Sequence, residues 1–233
     1  MIDWHCHVLP EMDDGSRSVA ESISLINMQA SQGIDTVIAT PHFYADDESV
    51  ESFLERRSAS LEKLRAELPA DSPEIIPGAE VRYYSGISRL DGLKSLRIEG
   101  TKLLLLEMPM STWTESMVRE VIELGAKGST KLVLAHIERY MKLQKRDVWD
   151  RLFDSDILMQ VNASFFTSFF TKRKALSLLK NGDVHFIGSD CHSVSSRPPR
   201  IGDAFDVIGA KLGEDYISQM NEYGKHLLVP IKK

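Results

Sequence analysis

Cysteine is nearly absent from this sequence. Two thiols in 233 residues, Cys6 and Cys191, cannot build a disulfide framework, and a reducing compartment is the natural reading. Long apolar runs are missing too. None approaches the roughly 20 residues of a membrane span, so no membrane insertion is expected. Met1-Ile2-Asp3 carries no basic n-region and no long apolar stretch follows, so no secretory signal is read. Positive charge is in deficit: 28 Lys and Arg stand against 34 Asp and Glu, for a formal net charge of −6. With no large Lys/Arg cluster, that balance excludes a nucleic-acid footprint. Repeats, low-complexity tracts and linkers are also lacking, and residues 1–233 read as one domain. The expectation is a cytoplasmic protein of ordinary composition, 42% hydrophobic and 27% charged.

What the chain does have is a regular alternation of β-type runs and helical stretches. Strands are expected at Ile2–His7, Asp35–Thr40, Glu74–Val81, Leu103–Glu107, Lys131–His136, Ile157–Asn162 and Val184–Asp190, with Pro77-Gly78 bending the third just where Glu80 emerges. A helix over Ser18–Gln32 would bury Ala20, Ile23, Ile26 and Ala30 and stop at Gly33. The charged helix Ser49–Leu68 would bury Phe53, Leu54, Leu61, Leu64 and Leu68. Further helices are expected over Thr114–Leu124, stopped at Gly125, over Arg146–Phe153, over Lys172–Lys180, and over Ile201–Leu212 and Asp215–Tyr223. Strand then helix, repeated seven times, implies parallel strands with right-handed crossovers.

An open sheet and a barrel both satisfy that order, and the polar residues choose between them. His5 and His7 alternate around Cys6, so on a strand they point the same way, as a divalent-metal half-site requires. His42, Glu80, Glu107, His136, Asp190 and His192 recur at or just beyond the ends of later apolar runs. In an open sheet these strand ends would be strung along a line; in a barrel they meet around one mouth. The expected fold is therefore a distorted α/β barrel of seven strands, one unit short of the common eight.

With Asp14 from the Asp13-Asp14-Gly15 turn, the candidate set is five histidines and four carboxylates, with no thiolate required. Such donors suit Mn, Zn, Fe or Mg, and nine groups exceed the needs of one ion, so two or three ions are expected. Ions about 3.5–4 Å apart lower the pKa of a shared water and clamp the attacking and leaving oxygens of an in-line displacement, which is phosphoester chemistry. Arg139, three residues after His136, and Arg197, five after His192, lie on the same mouth and carry the guanidinium that grips phosphate oxygens bidentately.

His5-Cys6-His7, Asp13-Asp14-Gly15, Thr40-Pro41-His42, the segment 78–84, His136-Ile137-Glu138-Arg139-Tyr140 and Ser189-Asp190-Cys191-His192, followed by Arg197-Pro198-Pro199, together resemble the bacterial manganese-dependent tyrosine-protein phosphatases of the polymerase and histidinol phosphatase (PHP) superfamily. The resemblance runs the length of the chain. It implies a TIM-like (β/α)7 PHP barrel with three Mn2+ ions. His5, His7, Glu80 and Asp190 would hold the first. Glu80 would bridge to a second held by Glu107 and His136, and Asp14, His42 and His192 would hold the third. Arg139 and Arg197 would grip the phosphate. It also implies control of capsule or exopolysaccharide synthesis, with the tyrosine-rich tail of a cognate bacterial tyrosine kinase as the phosphotyrosine substrate. Phe43-Tyr44 lacks the basic residues some relatives carry after that histidine.

Neither cysteine sits in a phosphate-cradling loop, so both are read as packing residues. Rival readings are a small-molecule phosphatase such as histidinol phosphatase, an amidohydrolase, and a catalytically dead scaffold that binds a kinase. An amidohydrolase would place a modified lysine where Glu107 stands. Asp13 is read as either a ligand or a turn cap, Glu138 as an orienting acid or an ion-pair partner, and Phe165-Phe166 with Phe169-Phe170 as a packed loop, a subunit contact or a floor for a tyrosine ring.

Overall fold

A computed structural model describes residues 1–230. Nine strand segments alternate with eight α-helices. The strands are β1 (Ile2–Cys6), β2 (Thr36–Ala39), β3 (His42–Phe43), β4 (Glu74–Pro77), β5 (Glu80–Arg82), β6 (Leu103–Glu107), β7 (Lys131–Leu134), β8 (Leu158–Asn162) and β9 (Phe186–Gly188). The helices are α1 (Val19–Ala30), α2 (Val50–Glu67), α3 (Glu115–Ala126), α4 (Arg146–Phe153), α5 (Ser164–Thr167), α6 (Lys172–Asn181), α7 (Ile201–Leu212) and α8 (Glu214–Leu228).

All seven strand pairings are parallel, within a sheet of order β1-β2-β4 and another of order β3-β5-β6-β7-β8-β9. This is a mixed α/β fold whose parallel strands curve into a half-barrel. The expected third strand is split in two, and the expected second, found as β2, is followed by a short extra strand, β3. Thr40-Pro41 separates β2 from β3, and Gly78-Ala79 separates β4 from β5. Hydrogen bonding runs on through the breaks: Gly78 N donates to Ala39 O at 2.8 Å, and Glu80 N to Pro41 O at 3.0 Å. At the far edge, Asp190 N donates to His5 O at 2.7 Å and His7 N to Cys191 O at 3.0 Å, tying the end of β1 to the chain beyond β9.

Strand parity explains the interior. One cluster of side chains holds Ile2, Trp4, Ile38, Leu103, Leu105, Val133, Leu158 and Phe186, with Trp4 stacked on Phe186 at 3.9 Å. Along four runs, steps of two turn the apolar floor into polar mouth: Ile38-Thr40-His42, Leu103-Leu105-Glu107, Leu158-Gln160-Asn162 and Phe186-Gly188-Asp190. In β1 the register shifts between Asp3 and Cys6, and His5 and His7 have the opposite parity to Ile2 and Trp4; beyond β7 the left-handed His136 likewise leaves the parity of Val133. The opposite parity, such as Leu104, Leu106, Leu132 and Leu134, joins the larger core beneath the helices. Helix α8 covers the apolar end, with a Cβ at Gly224 falling 2.7 Å from the Trp4 indole.

Several helices differ from expectation in a way packing explains. The buried face of α1 is Ser22, Leu25, Ile26 and Gln29, not the all-apolar stripe; Ala20 and Ala30 are exposed. Both polar members are partnered, Ser22 Oγ with Ser16 Oγ at 2.8 Å and Gln29 Nε2 with Asp3 Oδ2 at 2.6 Å. Helix α2 likewise buries Arg57, which donates to Gly78 O at 2.7 Å in the β4–β5 break, while Leu54 and Leu68 are only half-buried. Gly125 does not stop α3. It lies inside the helix, where a Cβ would meet Ile157 at 2.9 Å, and the left-handed residue past the end is Gly128 (φ 66°). Helix α8 outruns Tyr223 to Leu228 because Leu227 and Leu228 pack on the floor cluster.

Gly188 is where β9 passes closest to the first strand. A Cβ there would lie 2.5 Å from His5 Cβ and 3.0 Å from His5 N. Gly188→Ala is expected to cost about 1–3 kcal/mol or more, since neither strand can yield. Chemical denaturation checks this, and an unchanged midpoint would contradict it.

Candidate metal centre

The nine expected side chains come together at the C-terminal ends of the strands. Glu80, on β5 and 1% exposed, lies at the middle. Its Oε2 is 3.1 Å from His5 Nε2, 3.3 Å from His7 Nε2 and 3.2 Å from His42 Nδ1, and its Oε1 is 2.8 Å from His136 Nε2. Glu107, at the end of β6, brings Oε1 to 3.7 Å from His136 Nε2. Asp190 Oδ1 lies 3.8 Å from His5 Nε2, 3.6 Å from His7 Nε2 and 3.6 Å from His192 Nδ1. Asp14 Oδ1 closes the set, 3.6 Å from His42 Nε2 and 3.4 Å from His192 Nε2.

Three groups have ligand atoms close enough to share an ion: His5, His7 and Asp190; His42, Glu80 and Glu107; and His7, Asp14, His42 and His192. Two observations fit metal. His5 Nε2 faces His7 Nε2 at 3.2 Å, a contact between two imidazole lone pairs unless a cation or a proton lies between them. His42 Nδ1 and His192 Nε2 are buried and make no hydrogen bond, although carboxylate oxygens are near both.

In four of the histidines the other ring nitrogen is held by a hydrogen bond, three of them from outside the cluster, as suits ligating imidazoles. His7 Nδ1 pairs with Asp13 Oδ2 at 2.7 Å, His5 Nδ1 with Gln160 Oε1 at 3.2 Å, His136 Nδ1 with Tyr140 Oη at 3.1 Å, and His192 Nδ1 with Asp190 O at 3.0 Å. Asp13 is thus an orienting group that also caps the turn, accepting from His42 N at 2.8 Å and Gly15 N at 2.9 Å. Backbone strain marks two positions: His136 (φ 32°) and Asp190 (φ 52°) are both left-handed without being glycine.

Arg139 and Arg197 reach the same carboxylate. Both donate to Asp190 Oδ2, Arg197 Nη2 at 2.8 Å, and both side chains are partly exposed. They line a cavity of about 400 Å³ with Asn162, Ser164, Asp190 and Arg200. A second cavity of about 490 Å³, on the other side of the cluster, is lined by Asp13, Asp14, His42, Tyr44 and Arg56. Glu138 is half-buried; its Oε1 accepts from Asn162 N at 3.2 Å, and desolvation pushes its carboxyl up to about 7.

Several supporting residues escaped the sequence reading. Gln160 and Asn162 join the mouth to β8: Gln160 Oε1 also accepts from His136 N at 2.7 Å, and Asn162 Nδ2 donates to Asp190 Oδ2 at 2.8 Å. Asp3 is wholly buried and accepts from Ser189 N at 2.8 Å, pinning β1 against the Asp190 loop. Parity could have found all three, because Asp3 shares the alternation of His5 and His7, and Gln160 and Asn162 continue that of Leu158. The phenylalanines divide. Phe165 and Phe166 are core, 6% and 0% exposed, whereas Phe169 and Phe170 project at 90% and 92%. His185 points away, accepting from Met159 N at 3.0 Å.

Protonation sorts the histidines. Burial alone would lower His5 and His7, but Glu80 and Asp190 around His5, and Asp13 and Glu80 around His7, outweigh it and hold both above the usual value. Burial keeps His42 and His136 below it and brings His192 down to about 4. Burial, with Glu80 adding, pushes Glu107 up to about 7.

Without metal, His5 and His7 therefore hold a proton more tightly than a free imidazole, and Glu107, at about 7, is partly protonated at neutral pH; an ion must displace such protons. Metal loading is expected to release protons near pH 7, and affinity is expected to rise with pH. Calorimetry in buffers of different ionisation enthalpy reads the number directly. A heat independent of buffer would contradict the assignment.

A sequence model of the capsular polysaccharide synthesis CpsB/CapC family matches residues 1–227. The chain belongs to the CpsB/CapC family. Among curated relatives, the tyrosine-protein phosphatase YwqE of Bacillus subtilis is 30% identical, covering 98% of this chain and 91% of the relative. The tyrosine-protein phosphatase CpsB of Streptococcus pneumoniae is 31% identical, covering 91% of each. A solved CpsB/CapC structure, from work on YwqE and CpsB as metal-dependent tyrosine phosphatases, superposes with a TM-score of 0.77 at 26% identity over 100% of both chains.

Proposed function

We propose that the chain is a metal-dependent protein-tyrosine phosphatase of capsule or exopolysaccharide synthesis, acting in the cytoplasm on the tyrosine-rich tail of a cognate bacterial kinase. The observation that carries this is the continuous array of five imidazoles and four carboxylates beside two converging arginines. His5, His7, Glu80 and Asp190 would hold one ion, Glu80, Glu107 and His136 a second, and Asp14, His42 and His192 a third, with Mn2+ the favoured metal. Bound there, the ions supply an activated water and charge neutralisation for in-line displacement at phosphorus.

The chain's own residues do the rest. Arg139 and Arg197 orient the phosphate and meet the charge on its equatorial oxygens. Asp13, Gln160 and Tyr140 fix the tautomers and planes of His7, His5 and His136. The departing phenolate, of pKa about 10, needs little proton assistance. Cys6 and Cys191 are both fully buried and take no nucleophilic part.

Asp14, 69% exposed on the rim, and the partly exposed arginines form a mouth open to a protein segment. Seven staves complete the proposed barrel, with β2 and β3 counted as one and β4 and β5 as another; the hydrogen bonds across both breaks support that count. Residues 1–233 would form one domain.

The test is phosphate release from a phosphotyrosyl peptide and from histidinol phosphate, across a metal panel with a chelator control. Preference for the peptide with Mn2+, abolished by chelation, is expected. Preference for histidinol phosphate, or no turnover with ions bound, would overturn the reading.

A further inference from the structure

Phe169 and Phe170 have no role in the metal centre, yet they are the two most exposed large apolar side chains among the described residues, at 90% and 92%. Their rings meet edge to face at 5.6 Å, so they form one apolar tip. The tip lies on the loop between α5 and α6, in the connection after β8, and therefore on the same end of the strands as the mouth. Side chains this exposed stand proud of the surface.

The charge around this tip runs against the rest of the chain. Residues 157–182 contain Lys172, Arg173, Lys174 and Lys180 and no carboxylate, within a chain of net charge −6. Lys172, Arg173 and Lys174 occupy the first turn of α6, which has no acidic residue and no side-chain cap from Thr171. Cations at a helix N-terminus oppose the helix dipole and carry a local cost. None of the three forms an ion pair among the described residues. Such a breach of local preference is expected where a binding demand overrides it.

We infer that the Phe169–Phe170 tip with its Lys172-Arg173-Lys174 collar docks the protein on an anionic lipid surface, turning the mouth toward the membrane. The chemistry is that of interfacial anchoring: aromatic side chains enter the headgroup boundary and neighbouring cations meet anionic lipid. A peptide partner would call for a concave receptor for its side chains, and this feature is convex. Docking of this kind requires no membrane-spanning helix, and no described helix is long and apolar enough to span.

The experiment is co-sedimentation of the full chain with phosphatidylcholine vesicles, with and without phosphatidylglycerol. Wild type is expected to bind the anionic vesicles at least about tenfold better, and the difference should shrink with added salt. Phe169→Ala/Phe170→Ala should lower binding by roughly tenfold, and Lys172→Gln/Arg173→Gln/Lys174→Gln should lose about fivefold per cation removed. Both variants should keep wild-type turnover of a short soluble phosphopeptide, which also shows that they fold.

Absence of wild-type binding to anionic vesicles, or binding unchanged in both variants, would overturn the inference. So would a raised KM for the soluble peptide in the phenylalanine variant, which would assign the tip to peptide. A dimer dissolved by that variant would assign it to a second copy of the chain. The vesicle-binding and dimer outcomes do not depend on whether the chain is a phosphatase.

Discussion

Glu80→Gln is expected to abolish at least about a thousandfold of phosphatase turnover and to lower the metal content of the purified chain by at least one ion. No other carboxylate has its position. Its two oxygens face four imidazoles at 2.8 to 3.3 Å, and it is almost wholly buried. Burial alone would favour the neutral acid, but His5, His136 and His7 hold its carboxyl well below the usual range. It is therefore a fixed anion. Glutamine keeps the volume and removes the charge that lets ions approach so many ring nitrogens. It also turns an amide donor toward one of them. Turnover and elemental analysis on the same sample check the prediction together. Full metal content with near wild-type turnover would show that Glu80 is not the bridging group.

Arg139→Ala and Arg197→Ala are each expected to lower kcat/KM by roughly 10²–10³ while leaving metal content unchanged. Their shared contact with Asp190 shows that both guanidiniums reach the edge of the cluster from different loops, after β7 and after β9. A tetrahedral phosphate seated there would meet two forks. Lysine should rescue neither position well, because it supplies a point charge where a planar pair of donors is required. The double variant should lose less than the product of the single losses, since the two act on one group. Loss of metal in either single variant would mean that the arginine serves Asp190 rather than substrate. Unchanged kcat/KM in both would remove the phosphate-gripping role.

That the nine side chains would converge was largely legible in the sequence because most of them lie at strand ends, and strand parity is simple. Glu107 after four leucines and Asp190 two residues beyond Gly188 declare their direction once the strand is recognised. The groups that hold the ligands were less legible. Tyr140 is fully buried under His136, and nothing in the spacing of His136 and Tyr140 distinguishes that contact from ordinary core. Gln160 and Asn162 passed as strand residues because amides also occur on solvent-facing strands. Asp13 and Asp14 were inseparable by type; only the turn at Gly15 sends one inward to His7 and leaves the other at the rim.

In the fold, elements of strong period were readable and the breaks were not. Pro77-Gly78 announced its kink, but Thr40-Pro41 was read as the end of a strand, whereas His42 begins the short β3. The polar buried face of α1 defeated a rule that counts only apolar residues, since Ser22 and Gln29 are inside for their hydrogen bonds.

The claim on which the account rests is that one mouth holds several ions. Elemental analysis of the chain, chelated, reloaded with Mn2+ and freed of excess, tests it most directly. The account predicts two or three ions per chain, falling when His42, Glu107 or His136 is replaced by alanine. One ion or none, unchanged by those substitutions, would contradict it.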